Sequence, residues 1–185
     1  MAKRAQRWVV LLRAVNVGGS GRMTMLALRT AIQGHGFPDA ATYLQSGNVV
    51  LTAPGPAASI AVGVEAAIAA ELGFTTHAMV RTAAQMRALA DASPFPGEDD
   101  PSRIGFGFCK TRPAADAVAE LAARDFGRDR AVALGTECAL WYPDGMGRSK
   151  MTGSVLERVL GVPITVRNAR VTAALAELAA QPGTM

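Results

Sequence analysis

The sequence has no apolar run that could cross a membrane, and it is poor in cysteine, aromatic and charged residues. No stretch approaches the ~18 consecutive apolar residues of a membrane span. Two residues are cysteine, 5% are aromatic and 18% are charged, whereas half of the chain is hydrophobic. This composition excludes a membrane-spanning, disulfide-rich or disordered chain and indicates a globular protein with enough apolar material for a core.

Features of secreted and metal-binding proteins are also missing. The basic residues 1–7 lead into a short apolar strand with no signal-peptide core or cleavage site, so we expect a cytoplasmic protein. In that compartment Cys109 and Cys138 are expected to be buried and free. His35 and His77 have no partner at ligand spacing, so the sequence predicts no metal and no cofactor.

Acidic residues are absent from the start of the chain. Residues 1–33 contain six basic residues and no acidic one, and residues 148–170 contain five basic residues against one acidic. The rest of the chain is mildly acidic. Two such clusters are typical either of solvated surface or of a shared site for an anion.

The apolar pattern of the first half predicts a ferredoxin-like order of elements. Residues 8–12 are continuously apolar, as in a central strand, and Thr24 can cap the helix that follows. Ser46-Gly47-Asn48 joins two strand-like segments as a hairpin turn. A further helix ends at residues 72–73 and a strand follows, which completes the order β-α-β-β-α-β.

The same order recurs after the proline-rich residues 93–102. Leu-Gly followed by Val-Arg occurs at residues 72–81 and again at residues 160–167. We therefore expect an α+β fold of duplicated ferredoxin-like β-α-β-β-α-β units, each followed by a helix, with antiparallel sheets. The expected organisation is a first repeat at 1–92, a linker at 93–102 and a second repeat at 103–185.

The connection after the first strand, residues 13–23, is long and rich in glycine. The corresponding connection in the second half is only residues 110–113, so duplication and packing do not require the extra length. A glycine loop before a helix, with Arg13 and Arg22, favours an anion site, and a flexible surface loop is the alternative. The loop has neither the Walker A nor the dinucleotide-binding glycine spacing.

Two other polar segments are candidates for the same site. Residues 45–48 can be explained in two ways. Either they serve only to form a turn, or their side chains point to the end of the sheet where the glycine loop lies. Ser149 is expected to cap a helix, and Ser149-Lys150 lacks the Ser-x-x-Lys spacing of a nucleophile. A second anion contact, formed with Arg167 and Asn168, is the more plausible role.

Several of these segments resemble one bacterial family. The matching stretches are residues 11–19, 25, 28–29, 36–37, 42–49, 93–95, 149–151, 156–157, 160–161 and 165–168. They resemble the bacterial domain-of-unknown-function family 1697. The resemblance implies an α+β fold of two ferredoxin-like repeats, and it brings no established activity, cofactor or partner. The family pattern has tryptophan after Arg-Asn where this chain has Ala169, which weakens any role for aromatic stacking there.

The polar and basic loop residues of both halves lead to one hypothesis. We expect them to bind a single anionic small molecule, a nucleotide or another phosphate compound, and we assign no reaction because no general base can be placed. The predicted ligand-binding residues are Arg13, Asn16, Gly18, Gly19, Gln45, Ser46, Asn48, Ser149, Lys150, Arg167 and Asn168.

Two alternatives from other functional classes stay open. The basic clusters favour nucleic-acid binding, whose affinity would fall steeply with salt. Exposed sheet edges or apolar helix faces would instead favour a protein-interaction module or a homodimer. The expected middle strand of the first half has no aromatic residue, which argues against an RNA platform.

Overall fold

A computed structural model of the chain describes residues 5–15, 23–92 and 94–181. These residues form two four-stranded antiparallel sheets, and helices cover one face of each sheet. The predicted α+β fold with a duplicated unit is confirmed. No helix in the described ranges is long and apolar enough to span a membrane.

The first repeat follows the predicted order of strands and helices, and its strands pair in the order β2-β3-β1-β4. Its elements are β1 (Gln6–Leu12), α1 (Met25–Gly34), β2 (Ala41–Tyr43), β3 (Asn48–Ala53), α2 (Ala57–Leu72), β4 (Ala78–Thr82) and α3 (Ala83–Ala90).

The second repeat has the same order, and its strands pair as β6-β7-β5-β8. Its elements are β5 (Ile104–Cys109), α4 (Ala115–Ala123), β6 (Arg130–Leu134), β7 (Glu137–Trp141), α5 (Gly153–Leu160), β8 (Ile164–Asn168) and α6 (Ala169–Ala180), with a short 3₁₀ turn at Met146–Arg148.

The first strand of each repeat lies in the interior of its sheet. Strand β1 pairs with β3 on one side and with β4 on the other, so its apolar residues are shielded by neighbours. Trp8, Val10 and Leu12 pack with the helix residues Leu28 and Val64 in one buried cluster. The continuous apolar run of the sequence therefore belongs to a central strand, as predicted.

The chain divides into two compact units. The first comprises Met1–Arg87 together with Ala174–Met185, and the second comprises Ala88–Ala173. The end of α6, from Ala174, belongs to the first of these units. The repeat bounds of 1–92 and 103–185 stay a prediction.

The Leu-Gly and Val-Arg residues that the two repeats share have structural roles. Gly73 and Gly161 end α2 and α5 with a left-handed backbone, at φ of 70° and 67°, which glycine adopts without strain. Arg81 and Arg167 are both buried in the last strand of their sheets. Each donates from Nη1 to the carbonyl of the preceding residue, at 3.0 Å and 2.8 Å.

Helix caps were predicted correctly at α1 and wrongly at α5. The hydroxyl of Thr24 accepts a hydrogen bond from the amide of Ala27 at 3.1 Å, which confirms the cap of α1. The cap of α5 is Thr152, whose hydroxyl accepts from the amide of Val155. Ser149 lies further upstream, at the end of the 3₁₀ turn, so its hydroxyl is available for other contacts.

Both cysteines are free and buried, which confirms the sequence prediction. Burial also raises the pKa of the Cys138 thiol well above its usual range. The folded protein is therefore expected to react negligibly with a thiol reagent such as DTNB at mildly alkaline pH, and both thiols should react after unfolding in guanidinium chloride. Rapid labelling of the folded protein would contradict the burial of Cys109 in β5 and of Cys138 in β7.

Candidate functional site

The end of β1 and the β2–β3 turn lie side by side in the first unit. The amide of Leu12 donates to the carbonyl of Gly47 at 2.8 Å, and the amide of Arg13 donates to the carbonyl of His77 at 2.9 Å. The hydroxyl of Thr76 donates to the carbonyl of Arg13 at 2.7 Å. The backbone of Arg13 is thus held by residues 76–77, and its neighbour Leu12 is bonded to the predicted turn, so the structure brings Arg13 close to the turn residues.

The turn itself is held by its own polar side chains. Asn48 is fully buried, and its amide nitrogen donates to the carbonyl of Tyr43 and to the hydroxyl of Ser46, both at 2.9 Å. Gly47 has a φ of 71°, and a Cβ there would lie 2.9 Å from the Cβ of Leu12. These contacts give Asn48 and Gly47 a structural role, whereas Gln45 and Ser46 are exposed.

Two non-glycine residues at this end of the sheet have a strained backbone. Ala14 has a φ of 53° and Leu44 a φ of 57°. Residues other than glycine seldom adopt this left-handed backbone conformation. It costs on the order of 1–3 kcal/mol per residue and tends to occur at functional sites. No sequence pattern had indicated this strained backbone. The predicted residues Asn16, Gly18 and Gly19 lie outside the described residues.

A cavity of about 600 Å³ lies in the second unit. Antiparallel pairing of β6 with β7 sets Arg130 opposite Trp141, so the segment that precedes β6 adjoins the segment that follows β7. We call this cavity the basic cavity; it is lined by residues 124–129, 144–145 and 148–150 and by Val155.

The three carboxylates of the basic cavity all have partners in the protein. Asp125 accepts a hydrogen bond from the amide of Gly127 at 2.7 Å. Asp144 accepts from Nη1 of Arg128 at 2.8 Å and 3.1 Å through its two oxygens. The remaining carboxylate, Asp129, is occupied by a hydroxyl.

That hydroxyl belongs to Ser149, one of the predicted site residues. Its Oγ donates to Oδ2 of Asp129 at 2.5 Å and accepts from the amide of Met151 at 2.8 Å. Ser149 thus ties the segment after β7 to the residue just before β6. The contact anchors the segment that carries Arg148 and Lys150, the two sequence neighbours of Ser149.

Of the four basic side chains that line the cavity, two have ion-pair partners and two have none among the described residues. Arg124 pairs with Glu120 at 3.1 Å, and Arg128 pairs with Asp144. Arg148 and Lys150 are exposed, and within residues 5–15, 23–92 and 94–181 neither forms an ion pair. The donors that the cavity can offer to a ligand are therefore positively charged.

Arg167 and Asn168 are used within the second unit. Nη1 of Arg167 donates to the hydroxyl of Thr165 and to the carbonyl of Val166, both at 2.8 Å, and burial lowers the pKa of Arg167 to about 10. The side-chain oxygen of Asn168 accepts from the amide of Val171 at 2.8 Å and caps the first turn of α6.

The predicted residues fall at different ends of the repeat. In the first unit Arg13 and the turn lie where the repeat's first strand ends. In the second unit Ile104, where β5 begins, pairs with Trp141 at the end of β7, and Gly105 pairs with Asn168. Lys150, beyond the end of β7, therefore lies towards the start of the repeat's first strand. The convergence of both groups on one ligand stays a prediction.

Part of the basic cavity was not predicted from the sequence. Arg124 and Arg128 were not selected, although residues 124–130 contain five charged residues in seven. A charge-dense loop between a helix and a strand was the available signal. Among the described residues, no group of three or more histidine, cysteine or acidic side chains could hold a metal ion.

Comparisons with known proteins show the family and the fold. The sequence model of a family described as protein of unknown function (DUF1697) matches residues 5–138. The solved structure of the conserved bacterial protein SP0830 from Streptococcus pneumoniae is similar, with a TM-score of 0.70 and 20% identity, over 95% of this chain and 99% of that one. This likeness shows the fold alone. No curated protein matches the chain.

The turn next to Arg13 provides a test of the first-unit geometry. Gly47→Ala is expected to lower the free energy of unfolding by about 2–4 kcal/mol, because it combines a left-handed backbone with an overpacked contact to Leu12. Gly36→Ala is the control: Gly36 has a φ of 93°, and a Cβ there would meet nothing within 4 Å, so the cost should be about 1 kcal/mol. Equal costs in denaturant titrations would contradict the close approach at Gly47.

Proposed function

We propose that this chain, which belongs to the DUF1697 family of proteins of unknown function, binds a phosphate-containing small molecule in the basic cavity of its second unit. Phosphate oxygens are strong acceptors, and arginine and lysine side chains are their usual partners. The proposal concerns binding and assigns no reaction.

One observation carries the proposal. The carboxylates of the basic cavity are occupied by Gly127, Ser149 and Arg128, whereas Arg148 and Lys150 form no ion pair among the described residues. An anion can pair with Arg148 and Lys150 without breaking an ion pair that the described residues already form. The lining has four basic against three acidic side chains, and the two basic ones without an ion pair in the described ranges favour a negatively charged ligand.

The size and position of the cavity support a small ligand. Its volume of about 600 Å³ falls in the range of ~300–1,000 Å³ that is typical of small-molecule sites. A mononucleotide or a sugar phosphate matches that volume. The contact between Ser149 and Asp129 connects the two segments that line the cavity, so Arg148 and Lys150 extend from an anchored segment and less ordering is needed on binding.

Calorimetric titration with pyrophosphate, AMP and ribose 5-phosphate tests the proposal. We expect at least one of these compounds to bind and to raise the melting temperature. The double variant Arg148→Ala, Lys150→Ala should weaken that binding by about tenfold or more, because a hydrogen bond to a charged group contributes about 1.5–3 kcal/mol. Arg112→Ala, an exposed loop arginine of the same unit outside the cavity lining, is the control and should bind normally.

Three results would contradict the proposal. In the first, none of the compounds binds. In the second, the double variant and Arg112→Ala lose the same affinity, which would indicate a general charge effect. In the third, only oligonucleotides bind, with an affinity that falls steeply with salt, which would assign the basic residues to nucleic acid instead.

A further inference from the structure

Strand β6 is an edge of the second sheet. It pairs with β7 along its whole length, from Arg130 opposite Trp141 to Leu134 opposite Glu137, and with no other described strand. An edge strand leaves every second residue with its backbone N–H and C=O directed away from the sheet. Such groups can accept another strand.

The hairpin loop determines which backbone groups are left over. Strands β6 and β7 are joined by the two residues Gly135 and Thr136, so the flanking pair Leu134–Glu137 exchanges both of its hydrogen bonds. Pairs alternate along the strands, so Val132 also bonds to β7. The N–H and C=O of Ala131 and Ala133 therefore point outwards.

The side chains of β6 leave an apolar stripe beside that edge. Val132 is 41% exposed and Leu134 is 36% exposed. The guanidinium of Arg130 lies 4.6 Å from the ring centroid of Trp141, which holds it against its own sheet. The strand contains no proline, lysine or bulge, which are the usual devices that prevent edge pairing. The corresponding edge strand of the first unit, β2, is only three residues long.

We propose that β6 pairs antiparallel with β6 of a second copy of this chain, around a two-fold axis at Val132. In this register Ala131 lies opposite Ala133 of the second copy, and the outward groups form about four backbone hydrogen bonds. Val132 meets Val132, and Arg130 meets Leu134. The result is one continuous sheet across two second units.

The strand's own sequence favours a second copy as the occupant. Arg130 is the only charged residue of β6, and the two-fold axis sets it opposite Leu134 rather than opposite itself. The two exposed apolar side chains are buried by the same pairing, so the edge is complementary to itself. A five-residue strand pair buries less than the ~1,200–2,000 Å² of a standard stable interface, so the dimer is weak.

Disulfide trapping tests this register and detects a weak dimer. A cysteine pair at the two-fold axis would occupy directly opposed positions with Cα atoms about 4.5 Å apart, which a disulfide can bridge. The natural cysteines are buried and do not compete. Val132→Cys should therefore form a covalent dimer under mild oxidation. Val62→Cys is the matched control, because Val62 is an exposed valine on α2 of the first unit, and it should cross-link far more slowly.

Sedimentation velocity over a range of concentrations gives an independent measurement. The wild type should show a concentration-dependent dimer that Val132→Lys abolishes, since like charges would meet at the axis, while Val62→Lys leaves it intact. The melting temperatures of both variants should stay close to wild type, because both side chains are exposed. A monomer at all concentrations, a dimer that survives Val132→Lys, or equal cross-linking of the two cysteine variants would overturn the proposal.

Discussion

The register of β6 against β7 is the constraint on which the second unit depends. Leu134 pairs with Glu137 across a two-residue loop, and this pair determines the partners of all the remaining residues of β6 and β7. This register directs Ala131 and Ala133 towards the core cluster and their backbone groups towards the edge. It also brings the segment before β6 beside the segment after β7. The basic cavity and the free edge are therefore two consequences of one pairing.

The two units have the same topology but differ in the contacts of the aspartate that precedes the edge strand. In the first unit Asp39, just before β2, pairs with Arg7 at 3.1 Å and accepts from the amide of Thr52 at 2.9 Å, so partners from β1 and β3 occupy it. In the second unit Asp129, just before β6, is bound by Ser149, and a cavity lies beside it. The two units share one topology, and in the second unit the loop after β7 supplies the serine that binds the carboxylate before β6.

Local sequence signals predicted the fold well because each acts over a few residues. The apolar run of β1, the Ser46-Gly47-Asn48 turn and the Leu-Gly helix ends each specify nearby backbone. The residues of the basic cavity were harder to predict. They come mostly from two loops that adjoin only because β6 pairs with β7, and neither loop sequence indicates that contact. Arg167 was predicted as a ligand contact, and its burial opposite Phe106 follows from sheet pairing that no local sequence signal contains. The cap of α5 was misplaced because Ser149 and Thr152 are both good caps.

Amide hydrogen exchange by NMR on dilute protein tests the β6–β7 register most directly, because it separates amides that differ only in direction. The account predicts slow exchange at Val132 and Leu134, which bond to β7, and fast exchange at Ala131 and Ala133, which point outwards. The reverse pattern would shift the register by one residue. It would contradict both the assignment of the free edge and the arrangement of the loops around the basic cavity.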